Sequence, residues 1–429
     1  MARHVEGGPE RTAADLIAHA AEAFRPGFAI RLWTGERIGP VAGPAIVVAD
    51  AHVLSRLAFS PSIATLVELW AGKRLDIEGG SIFDIAAARP DGGRKAGLKR
   101  LDKVRIARAL PALWRLHRGR TRGAAAIGTD EGRSGSTKDA IQFHYDVSND
   151  FYRLFLDERM VYSCAYFDGW HDDIDRAQGD KLEMICRKLR LSPGERFLDI
   201  GCGWGALLIH AARTRGVTGH GVTLSKAQFD LATQLVADAG LAGRITIELK
   251  PFEALTGTFD KIASIGMFEH VGFARHDAYF SAVSKLLRPR GLYLHHAIAR
   301  PAKRTLKDFH AKRSHEYRAI TRYIFPGGEL DFVGHSLQKL EAHRFEVHDV
   351  ENWREHYGRT CRLWAERLRA HMDAAAAEIG EEKARVWLLY LAGCALAFER
   401  GSVMVNQTLA SKRDKGPSGL PPTRRDLYA

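Results

Sequence analysis

Residues 264–272 read SIGMFEHVG, which places Glu269 and His270 directly after a run of small and apolar residues. In a strand-then-loop context, this puts a carboxylate where a buried sheet opens into a cleft. Glu269 could serve there as a metal ligand, a general base, a cofactor clamp or a solvated strand end. No third ligand at a characteristic spacing accompanies the pair. His295 and His296 are neighbours on a predicted strand and face opposite sides, so the sequence predicts no metal site.

A glycine-rich turn, LDIGCGWGA at residues 198–206, follows a predicted strand and opens a predicted helix. Gly201 and Gly203 let the backbone turn tightly and approach a ligand closely. Asp199, at the strand end, can accept from a bound amino or hydroxyl group. A dinucleotide-binding turn would read G-x-G-x-x-G, whereas G-x-G-x-G after Leu-Asp is the pattern of S-adenosylmethionine (SAM) methyltransferases. The alternative is a purely structural turn between strand and helix.

The next two predicted strand ends carry side chains suited to the rest of that cofactor. GVTLSKAQ (221–228) offers Thr223 and Gln228, neutral groups that can replace the usual acidic partner of the ribose hydroxyls. LKPFEAL (249–255) offers Phe252 to stack on adenine and Glu253 to accept from its amino group. Ligands of open α/β sheets bind at the carboxyl ends of the strands, so these groups are predicted to meet.

The elements that must position these residues begin near residue 192. RFLDIG, VTGHGVTL, ITIELK, FDKIASIG and GLYLHHAIA are predicted strands, and ALLIHAART and KAQFDLATQLVADAG are predicted helices. This alternation predicts a mostly parallel sheet covered by helices. Residues 300–345 interrupt the alternation with a polar and aromatic stretch, and residues 371–401 are strongly helical.

The N-terminal part of the chain is predicted to form a separate, smaller α/β unit. FAIRLW and AIVVAD have strand character, and HVLSRLAFSPSIATLVELWAG has helical spacing. A polar, Gly/Ser-rich linker at 128–139 marks the best boundary. We therefore expect an N-terminal domain at 1–135, a methyltransferase domain at 136–410 and a flexible tail at 411–429.

The formal net charge of +12 is concentrated in one segment of this 429-residue chain. Between Asp91 and Arg133 there are twelve Lys and Arg residues against four Asp and Glu. The segment predicts a basic amphipathic helix, kinked at Pro111, that binds a membrane surface or packs on its own protein. Trp114 is its only aromatic residue, which argues against stacking on nucleic-acid bases. The predicted apolar stripe consists of Leu98, Leu101, Val104, Leu113 and Leu116.

Cysteine usage and hydropathy indicate a cytoplasmic protein. The five cysteines are scattered and form no C-x-x-C pair, which favours reduced thiols over disulfides or a zinc cage. No stretch approaches about 18 uninterrupted apolar residues, the length expected of a membrane-spanning helix. The N-terminus also lacks the apolar core of a secretory signal.

Several motifs occur in an order that points to one family. QFHYDVSNDFYRLFLDERMVYSCAYFDGW (142–170), LDIGCGWG, GVTLSKAQ, IASIGMFEHVG, RYIFPGGEL (322–330) and YLAGCALAF (390–398) together resemble the cyclopropane-fatty-acyl-phospholipid synthases and mycolic acid cyclopropane synthases. GFAIRLWTG and LWAGKRLDIEGG (69–80) resemble the N-terminal domain of the longer, phospholipid-acting members. The resemblance covers nearly the whole chain. It implies an α/β fold: a Rossmann-like SAM methyltransferase sheet with a helical acyl-binding insertion, plus the smaller N-terminal α/β domain.

The resemblance implies transfer of the SAM methyl group to a cis double bond of an unsaturated phospholipid acyl chain, giving a cyclopropane. An alkene is a poor nucleophile, so the pocket must exclude water and hold the methyl group against the π bond. The resulting carbocation needs nearby negative charge and a base that removes a proton. In the family that base is a bound bicarbonate. By resemblance, its ligands are Cys164, Glu269, His296, Ile298 and Tyr357, and the residues Tyr162 and Ser163 contact SAM.

Two catalytic assignments keep alternatives open. Glu269 is itself an anion and would repel bicarbonate, unless one of the two carries a proton or Glu269 accepts the bicarbonate O–H. Cys394 matches a cysteine long considered catalytic in the family. Because alkene methylation needs no thiol nucleophile and Cys394 lies in an apolar helical run, we expect a buried structural role while keeping it as a candidate.

Three departures from the family pattern leave the acceptor and product open. Ser148 replaces a glycine, Pro251 an aspartate of many bacterial members, and Glu399 an arginine. The same carbocation, losing a different proton, gives a methyl- or methylene-branched chain. Two other classes stay open: a methyltransferase acting on small molecules or RNA, and a non-catalytic lipid-binding protein with a decayed core. We expect peripheral association with the anionic inner face of the cell membrane and no nucleic-acid partner, and leave a homodimer open.

Overall fold

The computed structural model describes residues 8–88, 93–118, 147–311 and 328–428. These residues fall into two compact units. The first comprises residues 8–88, 93–118 and 380–392, and the second comprises residues 147–311, 328–379 and 393–428. The predicted boundary at residue 135 lies outside the described residues, so the domain limits stay a prediction.

The first unit contains a four-stranded sheet of order β2-β1-β3-β4. Its strands confirm the strand character of FAIRLW and AIVVAD, and the predicted helical stretch after them divides at Pro61 into two helices. Ser62 caps the second of these by accepting from the Thr65 backbone N–H at 3.0 Å. The strands are β1 (Ala29–Arg31), β2 (Arg37–Ile38), β3 (Ala45–Val48) and β4 (Leu75–Glu78). The helices are α1 (Pro9–Phe24), α2 (His52–Phe59), α3 (Ile63–Ala71), α4 (Ile82–Ala87), α5 (Gly93–Arg100) and α6 (Lys103–Arg118).

The basic segment forms the helices α5 and α6, and the predicted apolar stripe is only partly correct. Leu113 and Leu116 pack into the core of the first unit, but Leu98 and Val104 are 48% and 57% exposed. The stripe fails because Asp102 starts a new helix, accepting from the Val104 backbone N–H at 2.8 Å, so the helical phase is not carried across it. The helix α6 itself continues through Pro111.

The second unit is built on a seven-stranded sheet of order β10-β11-β9-β8-β5-β6-β7. The five strands predicted from sequence are all present and pair in parallel, which confirms the predicted α/β core. Two further strands were not predicted; β11 pairs antiparallel with β9, and β10 pairs antiparallel with β11. The strands are β5 (Arg196–Ile200), β6 (Thr218–Thr223), β7 (Ile245–Leu249), β8 (Phe259–Ile265), β9 (Leu287–Ala299), β10 (Phe345–Asn352) and β11 (Met404–Lys412).

Helices accompany this sheet, and the apolar core lies between the layers. They are α7 (Asn149–Arg153), α8 (Ile174–Lys188), α9 (Ala206–Arg215), α10 (Lys226–Asp238), α11 (His276–Leu286), α12 (Leu306–Ala311), α13 (Val333–Ala342), α14 (Arg354–Ala370), α15 (Met372–Ile379), α16 (Glu381–Glu399) and α17 (Arg425–Tyr428). The first part of α16 belongs to the first unit. Within the segment predicted as a tail, α17 buries Leu427. Over the described residues, no helix is both long and apolar enough to cross a membrane.

Candidate active site

The glycine-rich turn between β5 and α9 can be formed only by glycine at its first position. Gly201 has a φ of +78°, and a Cβ there would lie 2.9 Å from the Cβ of Met267. Gly203 and Gly205 also have positive φ angles, and Gly205 is the N-cap of α9. The turn therefore leaves its backbone bare at the carboxyl end of β5, where a ligand can approach it closely.

A cavity of about 670 Å³ opens beside this turn. The predicted cofactor residues come from four separate stretches of sequence, and all nine of them line the cavity. They are Tyr162, Ser163, Asp199, Gly201, Gly203, Thr223, Gln228, Phe252 and Glu253.

Asp199 is the buried carboxylate of this cavity. Its Oδ1 has no hydrogen-bond partner among the residues that the structure describes. Burial raises the pKa of Asp199 to about 7, and the nearby Lys181 ammonium opposes this rise. Lys181 was not predicted. It is buried, donates to Ser163 Oγ at 3.0 Å, and burial lowers its pKa to about 8.

The predicted polar groups at the next strand ends are ordered by their own neighbours. Thr223 Oγ1 donates to Gln228 Oε1 at 2.8 Å. Glu253 forms an ion pair of 2.5 Å with Arg275, a second cavity residue that was not predicted. Phe252 packs edge-on against Tyr279, with the ring centroids 5.3 Å apart. A bare backbone turn, an unpartnered carboxylate oxygen and an aromatic ring fit a ligand with amino, hydroxyl and adenine groups, as SAM has.

Glu269 follows β8 in a single 3₁₀ turn, Phe268–His270. Its carboxylate is buried: Oε1 accepts from the Ile298 backbone N–H, and Oε2 has no partner within the described parts of the chain. Burial raises the pKa of Glu269 to about 7. These observations exclude the solvated strand end. Ile298, one of the residues predicted to bind bicarbonate, thus donates its backbone N–H to Glu269.

His296 lies on β9, two residues before Ile298 and therefore on the same face of the strand. Its Nδ1 is 3.0 Å from Gln407 Nε2, while Nε2 is buried without a partner in the described chain. Burial lowers the pKa of His296 well below its usual value, and the Lys181 and Lys188 charges add to this. His295 faces the other side, with Nδ1 3.0 Å from the Tyr293 hydroxyl, as the strand periodicity predicted.

Cys164 and Tyr357 complete the predicted bicarbonate group. The Cys164 thiol lies 3.8 Å from the carbonyl oxygen of Trp353, whose ring is edge-on to His296 with centroids 5.8 Å apart. Burial raises the pKa of Tyr357 well above its usual range, and the Glu269 charge adds to the rise. Cys164 stays a thiol because burial also raises its pKa. These contacts place Cys164 near Trp353 and Trp353 near His296, and Tyr357 lies close enough to Glu269 for that charge to affect its pKa.

Cys394 lies on α16. It is half-buried, whereas the sequence predicted a buried residue. Its electrostatic neighbour is Cys361, a buried thiol on α14 one turn after Tyr357. Its catalytic role stays a prediction.

Two groups of three side chains in the described chain are close enough to share a metal ion, and neither contains Glu269. One is exposed in part and comprises Asp168, His171 and Asp180. The other, His276, Asp331 and His335, is centred on a carboxylate that already accepts from Ser336 Oγ at 2.7 Å and from His335 Nδ1 at 3.0 Å. This second group is therefore explained by its own hydrogen bonds.

Comparison with known proteins identifies the family of this chain. Residues 133–408 match the family model for mycolic acid cyclopropane synthetase. This chain belongs to that family. A probable fatty acid methyltransferase of Pseudomonas putida is 36% identical over 419 residues, covering 93% of this chain and 95% of the relative. The cyclopropane-fatty-acyl-phospholipid synthase of Escherichia coli K12 is 39% identical over 269 residues, covering 63% of this chain and 66% of that protein.

A solved structure agrees with these sequence matches. Mycolic acid cyclopropane synthase CmaA1, complexed with SAH and CTAB, superposes with a TM-score of 0.60 at 37% identity, covering 66% of this chain and 100% of the other. The protein is thus a SAM-dependent methyltransferase of the cyclopropane synthase type. The predicted fold class, family and enzyme class are confirmed.

The polar residues that the sequence did not predict share one property: their partners are distant along the chain. Lys181 and Lys188 lie on the amphipathic helix α8, where lysines usually face solvent, yet both are buried. Gln407 lies on β11, a strand with no predicted role. The only sequence signal for the lysines is their position on the apolar side of α8.

Proposed function

We propose that this enzyme transfers the SAM methyl group to a cis double bond of an unsaturated phospholipid acyl chain and closes a cyclopropane ring, with bicarbonate as the base. The observation that carries the proposal is the pair of buried, unpartnered atoms Glu269 Oε2 and His296 Nε2. Glu269 lies between Met267 and His270, which both line the cavity. Unpartnered buried polar atoms beside a cofactor cavity support a small polar ligand at that place.

The electrostatics of the pocket suit an anion with its own proton. Bicarbonate, when bound there, supplies the base. With a pKa of about 7, Glu269 is partly protonated near neutral pH, so it can either donate to such an anion or accept its O–H. This answers the repulsion expected between two anions. His296 and Tyr357, both buried, can act as donors of neutral N–H and O–H groups.

The same residues fit the demands of the acceptor. SAM, when bound, supplies the methyl group, and the double bond supplies the electron pair of the new bond. Positive charge then develops on the acyl chain. The His296 side chain stays neutral because burial and the nearby Lys181 and Lys188 charges disfavour imidazolium, so it adds no further positive charge. The buried carboxyl group of Glu269, when ionised, supplies negative charge that would stabilise the positive charge on the acyl chain.

A phospholipid acceptor requires contact with a bilayer, and the helix α6 supports that contact. Val104, Leu110 and Trp114 are exposed on α6 beside exposed arginines. Arg118 lies over the Trp114 ring, 5.2 Å from its centroid. Exposed apolar and basic groups on one helix are typical of docking to an anionic lipid surface, which here is the inner face of the cell membrane.

A second product has one specific observation in its favour. The relative that spans this chain almost end to end is named a probable fatty acid methyltransferase, not a cyclopropane synthase. A methyl- or methylene-branched acyl chain would need the same cofactor site and the same charge stabilisation. Only the proton that leaves would differ.

The decisive experiment incubates the purified protein with SAM and vesicles of a defined cis-unsaturated phospholipid. We expect the acyl chain to gain the mass of one CH₂ group, and NMR to show cyclopropane ring protons. If the second product forms, the spectrum should show the signals of a branching methyl or methylene group and no ring protons. If no unsaturated phospholipid gains mass while a water-soluble acceptor does, the phospholipid assignment is wrong.

A further inference from the structure

His296 is linked through Gln407 to a buried ammonium group. β9 and β11 pair so that His296 and Gln407 lie directly opposite each other. Gln407 Nε2 is 3.0 Å from His296 Nδ1, and Gln407 Oε1 accepts from Lys188 Nζ at 2.7 Å. All three side chains are at most 1% exposed.

The chemistry of lysine fixes the direction of every hydrogen bond in this chain of groups. An ammonium group only donates, so the Gln407 atom facing Lys188 must be the carbonyl oxygen. The amide NH₂ group therefore faces His296, and Nδ1 must accept from it. A neutral imidazole that accepts at Nδ1 carries its proton at Nε2. The unpartnered Nε2 of His296 is thus a hydrogen-bond donor.

Burial lowers the pKa of Lys188, and the Glu351 carboxylate opposes this loss of charge. The Lys188 ammonium group forms an ion pair with Glu351 and lies 4.9 Å from the centroid of the Trp353 ring. The Trp353 ring is also edge-on to His296. Glu351 and Trp353 therefore retain a charged donor where a lysine would otherwise lose its proton.

We propose that Lys188 and Gln407 are positioning residues that hold His296 as the neutral Nε2–H tautomer and so present an N–H donor to the anion beside Glu269. This inference rests on the proposed bicarbonate site. If His296 carried its proton at Nδ1, the bare Nε2 would repel the anion. If His296 were an imidazolium, it would place a positive charge beside a carbocation. The Gln407 amide prevents both, because its hydrogen bond to Nδ1 fixes the Nε2–H tautomer and adds no charge.

The first test reads the tautomer directly. In protein labelled with ¹⁵N at the histidine rings, the His296 signals are identified among the 19 histidines by their loss in His296→Gln. We expect a protonated Nε2 and an unprotonated Nδ1. Gln407→Glu places an acceptor against Nδ1, so the proton should move to Nδ1 or both nitrogens should be protonated. Gln407→Met, which keeps the length of the side chain, should give a mixture of tautomers.

The second test measures turnover against added bicarbonate in CO₂-depleted buffer. We expect Gln407→Glu and Gln407→Met to raise the half-activating bicarbonate concentration on the order of 10- to 100-fold, as loss of an orienting partner does elsewhere. Affinity for SAH should not change. Thr408→Val is the matched control, since Thr408 is equally buried on β11 but faces away from His296. Its bicarbonate dependence and its His296 spectrum should equal those of the wild type.

The two tests separate this inference from the function it rests on. A wild-type spectrum with the proton on Nδ1, or an unchanged Nε2–H spectrum in Gln407→Glu, overturns the inference. Equal bicarbonate activation in the wild type and both Gln407 variants also overturns it. Wild-type turnover that needs no bicarbonate instead overturns the proposed base, while the spectra still decide which residues set the tautomer.

Discussion

At the scale of single residues, two buried carboxylates differ in what opposes their protonation. Burial raises the pKa of both Asp199 and Glu269 to about 7. The charge of Lys181 opposes the rise at Asp199, whereas backbone N–H groups oppose it at Glu269. Both carboxyl groups can therefore gain or lose a proton near neutral pH, and only at Asp199 does a neighbouring cation favour the ionised, acceptor form.

Replacing Glu269 by glutamine should separate binding from turnover. Glu269→Gln keeps the shape of the side chain, but the glutamine amide can neither release nor take up a proton. We expect unchanged SAH affinity by calorimetry and a turnover at least about 100-fold lower on unsaturated phospholipid vesicles. Wild-type turnover in this variant would show that Glu269 does not take part in the reaction.

The same substitution should stabilise the fold, and more so at higher pH. The native state binds the Glu269 proton more tightly than the unfolded chain, whose ordinary pKa is 4.5. The glutamate therefore costs stability increasingly as pH rises from 4.5 to about 7, up to roughly 3 kcal/mol. Urea unfolding from about pH 5 to about pH 8 should show the gap between Glu269→Gln and wild type widening.

Glu183 on α8 supplies the control for this pH dependence. Although burial raises its pKa, hydrogen bonds from Arg187 and His210 and the Arg215 charge lower it below 4.5 overall. Glu183 is thus ionised in both the folded and unfolded states throughout the tested range. His210 pairs with Glu183 and is neutral at higher pH, so the stability difference between Glu183→Gln and wild type should not widen as pH rises. A gap for Glu269→Gln that likewise fails to widen would contradict the raised pKa.

Lys181 should set the pH range in which the cofactor binds. Lys181→Met removes the charge that keeps Asp199 ionised, so the pKa of Asp199 should rise further. We expect SAH affinity to improve with rising pH through about 7 in the wild type, and this midpoint to move up by about one unit in the variant. Lys261→Met is the control, because Lys261 is a buried lysine bound to the Leu189 carbonyl oxygen at 2.7 Å. Equal midpoints in wild type and Lys181→Met would refute this role.

The sequence predicted residues whose chemistry is local and missed those whose chemistry depends on pairing. Glu269 and Asp199 were found because each ends a strand next to a motif. Gln407 could not be predicted, because its role depends on its position opposite His296 on the neighbouring antiparallel strand. The two residues are 111 positions apart in the sequence. Register between distant strands is set by tertiary packing and cannot be read from spacing along the chain.

At the scale of elements, the glycine-rich turn joins β5 to α9 through two different restraints. Gly201 combines a positive φ with a close approach to Met267. Gly203 has a positive φ of +54° but no atom within 4 Å of its hypothetical Cβ. The two positions therefore separate backbone strain from steric contact within one turn.

Alanine substitutions should reveal this difference in the cofactor-free protein. We expect Gly203→Ala to lower the free energy of unfolding by about 1 to 2 kcal/mol, the cost of a left-handed residue. Gly201→Ala should lower it by about 2 to 5 kcal/mol, since the new methyl group also displaces Met267. Denaturant titration measures both. Equal losses would mean that Met267 moves aside at no cost.

The elements predicted from sequence were those that alternate regularly as strand and helix between residues 196 and 299. The five parallel strands fit this pattern. β10 is an edge strand that carries charged residues, and β11 follows a long helical stretch and Gly401, so neither was recognised. The error at α5 and α6 has a similar origin. A single capping aspartate resets the helical phase, so a stripe counted across Asp102 joins residues that belong to two helices.

At the scale of the whole molecule, some of the excess basic residues bond within the first unit, and others face solvent. Arg100 and Arg105 donate to the carbonyl oxygens of Ala23 and Asp15 within the first unit. Arg108 and Arg115 on α6 are exposed, as is Trp114 at 45%. Arg100 and Arg105 are exposed too but also bond within the first unit, so a test of membrane binding should change Arg108 and Arg115 and leave those two in place.

Reversing the charge of Arg108 and Arg115 to glutamate should weaken binding to anionic vesicles by about tenfold or more at low salt. The reason is that each basic group near an anionic surface contributes about 1 kcal/mol, which added salt screens. Co-sedimentation with vesicles of increasing anionic lipid content measures the loss.

The control reverses Arg213 and Arg369, two exposed arginines of the second unit, and so changes net charge equally. Trp114→Ala is compared with Trp170→Ala, whose indole is 63% exposed. If both arginine pairs lose binding equally, or if salt has no effect, the helix α6 is not the membrane contact and its exposed face has another cause.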